Sequence, residues 1–177
     1  VKWQEWPAKA QSELEELFKV CDEVFICGLS MGGATTLYVA AERNERLSGI
    51  ILVNPMIYRS SAVLSLLPLW AKYLLANIVK MRSSVGNDIS RPGITVHGYD
   101  ATPSFGAYEL FKMLKETRLK LKKITVPLQL FHSVQDHTLP VCNTEIIMDE
   151  IGSSSKSRIE LVNSFHVATL DYDQELI

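Results

Sequence analysis

Apolar positions along the chain follow two alternating rhythms. Leu14, Leu17 and Phe18 repeat at helical spacing, with Pro7 placed to occupy the first turn, and predict a helix running to about Val20. Residues 23–27 then form a short apolar run, too hydrophobic for a half-exposed strand, and 50–53 form a second. Residues 126–131 make a third, and 157–162 a fourth with partial alternation. Such runs fit parallel strands covered on both faces. Between them the pattern predicts helices over 34–42, 105–121 and 141–151, with another opening at 171–177. In the helix over 105–121, Leu110, Phe111, Leu114 and Leu121 form the buried stripe. Strands alternating with helices argue for βαβ units and an α/β fold. Residues 56–104 break the rhythm, with a turn at Pro92-Gly93, and are too long for an ordinary connection. They are read as an insertion.

Composition adds limits to this picture. A chain of 177 residues with 47% apolar and 21% charged residues is expected to form one domain with a real core. Net charge is −2 with no long run of Lys or Arg, which argues against a nucleic-acid surface. Lys112, Lys115, Arg118, Lys120, Lys122 and Lys123 are expected on the solvated face and end of a helix. Cys21, Cys27 and Cys142 show neither paired nor metal-like spacing, and Cys27, inside an apolar run, is expected to be buried. Sparse, unpaired cysteines suit a reducing compartment, so a cytoplasmic location is expected. No basic segment followed by an apolar one opens the chain, which starts in mid-pattern at Val1. The most apolar region, 62–79, is interrupted by Pro68 and Lys72, and reads as a lid or buried helix rather than an integral membrane span.

Candidate chemistry begins at Gly28-Leu29-Ser30-Met31-Gly32, between a predicted buried strand and a predicted helix, where G-x-S-x-G acquires meaning. A serine on such a tight turn projects its hydroxyl from the carboxyl edge of the sheet, and Gly28 and Gly32 are expected to avoid collisions as the chain doubles back. The new helix points its free N–H groups at the site, and that of Met31 would be one oxyanion donor. A serine hydroxyl needs a base, and the base a carboxylate. Asp136 lies just beyond the third predicted strand and His166 just beyond the fourth, on the same sheet edge as Ser30. His137 could compete as base, but neighbours in sequence rarely face each other as an Asp–His pair must, which favours His166. Asp171 and Asp173 could replace the acid, but are better placed to begin the last helix. His97 falls in the insertion and His132 at a strand end. These His and Cys positions do not match ligand spacings, so neither metal nor cofactor is expected.

At Gly28–Gly33, at 133–140 and at His166-Val-Ala-Thr-Leu-Asp171 the chain resembles the carboxylesterase and monoacylglycerol lipase branch of the α/β-hydrolases. The resemblance covers nearly all of the chain. It implies that Ser30, Asp136 and His166 match the nucleophile, acid and base, and that 56–104 is a cap over an acyl-binding pocket. It implies cleavage of a small-molecule acyl ester, short or medium in chain or a monoacylglycerol, through an acyl-enzyme. Acyl transfer on the same triad and a non-catalytic ligand-binding protein of this fold are the alternatives. Members of the family begin with strands that precede the first helix here, including a His-Gly loop carrying the second oxyanion donor. The chain is therefore expected to be a partial domain without its front strands, leaving the strand at 24–27 with an unpaired edge.

Overall fold

A computed structural model describes residues 1–58, 67–79, 81–83 and 86–177. Four strands, β1 (Phe25–Leu29), β2 (Gly49–Val53), β5 (Leu128–Ser133) and β6 (Lys156–Leu161), form a parallel sheet in the order β1-β2-β5-β6. The helices are α1 (Glu5–Leu17), α2 (Met31–Arg43), α3 (Leu69–Ile78), α4 (Ser104–Lys120) and α5 (Cys142–Glu150). β3 (Met81–Ser83) and β4 (Ala101–Pro103) pair antiparallel inside the stretch read as an insertion. The apolar positions 62–66, read as part of a lid, lie outside the described residues. Among the described residues no helix is long and apolar enough to cross a membrane.

Alternation along the strands feeds two cores. Ile50 and Leu52 of β2 join Leu128 and Leu130 of β5 in a large cluster with Leu14, Leu37, Leu121 and Ile147 from the helical layer. Val53, Phe131 and Leu161 point the other way, into a smaller cluster closed by Ala168. The two faces are thus unequally covered, and β1 shows the consequence. Phe25 is 55% exposed, and Cys27, expected to be buried, is exposed as well. Both alternate onto the face opposite Ile26, which packs against the larger cluster.

Of the predicted stripe Leu114 and Leu121 are buried but Leu110 and Phe111 only half-buried; the helix over Ser104–Lys120 buries Ala107, Met113 and Thr117 as well. It also buries Glu109, which accepts hydrogen bonds from the Trp3 N–H at 3.0 Å and the Lys112 ammonium at 2.9 Å. A charge is tolerated there because both donors converge on it. Among the basic residues expected on a solvated face, Arg118 pairs with Glu150 and Lys120 with Glu42. The helix expected over 171–177 is instead a turn and a short 3-10 segment, Gln174–Leu176. Asp171 and Asp173 are buried and direct their carboxylates at backbone N–H groups of the preceding loop, so they do not act as N-terminal helix residues.

Candidate active site

Ser30 stands between β1 and α2 with φ 55° and ψ −118°, a conformation that costs an L-residue about 1–3 kcal/mol. Its backbone is held at both ends. The Ser30 N–H donates to the Val53 carbonyl at 3.1 Å, and its own carbonyl accepts from the N–H groups of Gly33 at 3.0 Å and Met56 at 3.0 Å. The turn is thus locked to the end of β2 as well as to its own helix. Of the glycines in this turn, Gly28 and Gly33 are the ones the packing demands. A Cβ on Gly28 would overlap the Thr36 hydroxyl and the Gly32 carbonyl, and one on Gly33 would lie 2.8 Å from Pro55 Cβ. Gly32 differs from expectation: among the described residues nothing lies within 4 Å of a Cβ built there.

His166 Nε2 lies 2.9 Å from Ser30 Oγ, and His166 Nδ1 lies 2.7 Å from Asp136 Oδ2. The side chains of His166 and Asp136 are 7% and 2% exposed, so this contact is largely shielded from water. Asp136 divides its two oxygens. Oδ1 accepts the N–H groups of Thr138 and Leu139, each at 2.8 Å, which closes its own turn and aims Oδ2 at the imidazole. All three side chains come from the carboxyl ends of parallel strands, where loops converge. Met31 opens α2, so its N–H has no acceptor within the helix and faces the side on which Ser30 stands.

The remaining histidines go elsewhere. His137 is 63% exposed at its side chain and places Nδ1 2.8 Å from Asp88 Oδ1. His132 is buried beside the Thr144 hydroxyl at 3.0 Å, and burial, with the Arg158 charge, pushes its pKa below the usual imidazole value. His97 is exposed.

Several residues that support this geometry gave little sign of it in the sequence. Asn54, which directly follows β2, is buried with φ 42°. Its amide donates to Ser133 Oγ at 2.9 Å and to the His166 carbonyl at 2.8 Å, while its Oδ1 accepts the Ser133 N–H at 2.7 Å. It therefore fastens β2, β5 and the His166 loop at one point. Asp171 accepts N–H groups from Ser90, Arg91, Phe165 and Tyr172 at 2.7–3.0 Å. Burial alone would raise its pKa, but those four donors outweigh burial and hold the carboxyl below the usual carboxylate range. The one available signal was residue type: Asn tolerates the left-handed region, and a carboxylate near a loop finds N–H donors.

A cavity of about 430 Å³ opens at Ser30 and His166. Met56, Val96 and Val167 give it apolar walls, and Asn87, Asp100 and Thr138 supply polar ones.

Comparison with known proteins follows the same lines. The family model described as serine aminopeptidase, S33, matches residues 9–173. A thermostable monoacylglycerol lipase from Bacillus sp. (strain H-257) is 34% identical over 175 residues, which cover 98% of this chain and 66% of the lipase. A monoglyceride lipase from Rattus norvegicus is 28% identical over 157 residues, 81% of this chain and 51% of that enzyme. The chain thus spans between half and two thirds of the length of these relatives. Among solved structures, one from work on LipS and LipT, two metagenome-derived lipolytic enzymes, superposes with a TM-score of 0.90 at 32% identity. That match covers 99% of this chain and 70% of the other. The monoacylglycerol lipase of Paleococcus ferrophilus shares the fold with a TM-score of 0.77 at 18% identity, over 99% of this chain and 72% of that one.

Proposed function

The chain belongs to the serine aminopeptidase S33 family and has the α/β-hydrolase fold, and on that premise we propose that it cleaves carboxylic esters through an acyl-enzyme on Ser30. The observation that carries this reading is the continuous chain of contacts from Ser30 Oγ through His166 to Asp136. In the proposed first step, Nε2 of His166 takes the Ser30 proton as Oγ attacks the ester carbonyl. Asp136, bonded to Nδ1, fixes the tautomer that leaves Nε2 free and stabilises the imidazolium that forms. The Met31 N–H meets the developing oxyanion at the positive end of α2. The alcohol leaves with the proton from His166. Water, deprotonated by the same nitrogen, then releases the acid and restores the serine.

For the substrate, an acyl ester or monoacylglycerol fits the mixed walls of the cavity, apolar for a chain and polar for an alcohol portion. The monoacylglycerol lipases among the relatives support the same class. Residues 56–104 are proposed as the cap over this cavity, since Gly86, Asn87, Val96 and Tyr99 within them line it. The free cysteines, with Cys21 and Cys27 exposed, favour a cytoplasmic setting. The test is Ser30→Ala in the complete gene product. Ester turnover and labelling by a fluorophosphonate should both vanish. Labelling that persists in the variant overturns the assignment of Ser30.

A further inference from the structure

Resting on the triad reading above, we propose that Asp88 is a positioning residue that holds His166 in register with Ser30 and ties the wall of the substrate cavity to that histidine. Nothing in the sequence pattern marks Asp88. Its carboxylate sits between the loop that bears Asp136 and the loop that bears His166. Oδ2 accepts the His137 N–H at 3.1 Å, the Thr138 hydroxyl at 3.4 Å and the His166 N–H at 3.3 Å. Oδ1 faces His137 Nδ1 at 2.8 Å, and the Asp88 carbonyl accepts the Val167 N–H at 3.1 Å.

Asp88 therefore grips the backbone on both sides of the His166 peptide, where the ring's point of origin is set. The acid and base loops share this one carboxylate, so a displacement of either is felt by the other. With its side chain 14% exposed, the carboxylate is too buried to go without these donors.

The neighbouring residues carry the link outward. Ser90 and Arg91 donate to Asp171, which also accepts the N–H of Phe165, the residue before His166. Asn87 closes the stretch from 87 to 96, its Oδ1 accepting the Val96 N–H at 3.0 Å and its amide donating to the Ile94 carbonyl at 3.1 Å. Asn87 and Val96 line the cavity. The wall that meets the substrate and the backbone that aims the base are consecutive parts of one hydrogen-bonded strap. Asp88 touches no reacting atom and acts through His166.

Three variants of the complete gene product test this: Asp88→Ala, Asp88→Asn and His137→Ala. Readouts are kcat and KM for a p-nitrophenyl ester, the rate of fluorophosphonate labelling, and the low-field proton resonance of the His166–Asp136 hydrogen bond. Asp88→Ala should lower kcat and the labelling rate together by about tenfold to a hundredfold, the scale on which sub-ångström misplacement of a catalytic group acts. KM should stay within about threefold, since groups that line the cavity remain, and the low-field resonance should broaden or disappear. Asp88→Asn keeps an oxygen for the N–H donors and should recover most of the loss. His137→Ala removes only the ring contact and should stay within about twofold of the parent, the scatter expected of an exposed site.

Native kcat and an intact resonance in Asp88→Ala overturn the proposal. So does a loss in His137→Ala equal to that in Asp88→Ala, which would place the effect in the ring pair. If Asp88→Ala does not fold, Asp88→Glu takes its place; its displaced oxygens should cost kcat while Asp88→Asn does not, and equal activity of the two overturns the proposal. Ser30→Ala, assayed alongside, separates the levels. Lost labelling there with native Asp88→Ala overturns this inference alone, whereas persistent labelling overturns both it and the triad reading.

Discussion

Replacing Asn54 by Ala should destabilise the protein through a polar junction rather than a hydrophobic one. Asn54 is 1% exposed and makes three close hydrogen bonds, two to Ser133 and one to the His166 carbonyl. Ala leaves the fully buried Ser133 N–H and the His166 carbonyl without that partner. An unsatisfied buried group costs about 1–3 kcal/mol, and the two share one site, so about 2 kcal/mol is the working figure. The backbone at φ 42° adds a penalty of up to about 1 kcal/mol, because Asn tolerates the left-handed region better than Ala. The sum, up to about 3 kcal/mol, corresponds at its limit to a fall in Tm of roughly 6–12 °C for a chain of this size. Asn54→Gly separates the two parts. It loses the same hydrogen bonds but not the backbone fit, and should be less damaging than Ala by up to about 1 kcal/mol. Urea and thermal unfolding of the three proteins measure both differences. Unfolding free energies for Asn54→Ala and the parent that agree within about 0.5 kcal/mol, the range of an ordinary surface change, would refute the reasoning.

Two further outcomes rest on other contacts. Gly33→Ala should cost about 1–3 kcal/mol by overpacking against Pro55, whereas Gly32→Ala should be far milder; equal losses in thermal melts would show that the steric reading is wrong. Asp171 has a depressed folded-state pKa, so its stabilisation is present above the unfolded carboxylate value near about pH 4 and is lost as pH falls through the folded value. The stability gap between the parent and Asp171→Asn should accordingly be widest above about pH 5 and narrow below about pH 4, and urea midpoints showing a gap that widens toward acid would contradict the assigned charge state.

The periodic elements were legible because they bury what their rhythm marks. Ile50 and Leu52 alternate with Val53 across a covered sheet, and Leu14 and Leu37 fall on helix faces that meet it. That Ser30, Asp136 and His166 would lie together was legible for a different reason: chemistry restricts residue type, and strand order restricts position. What escaped was whatever depends on non-local geometry. Cys27 looks like a core residue by its neighbours, yet its exposure is decided by which face of β1 is covered. Asp171 looks like the start of a helix, but its carboxylate is claimed first by the N–H groups of Ser90 and Arg91, 81 and 80 positions away, together with those of nearby Phe165 and Tyr172. Asn54 and Asp88 carry no motif at all. Their roles arise from partners 79 or more and 49 or more positions away, which no local pattern encodes.

The most direct test of the central claim is to locate the covalent adduct. The complete gene product, treated with a fluorophosphonate and digested, should give one modified peptide with the added mass on Ser30, and Ser30→Ala should give none. Modification at another residue, or an adduct that survives in Ser30→Ala, would contradict an acyl-enzyme built on Ser30, His166 and Asp136.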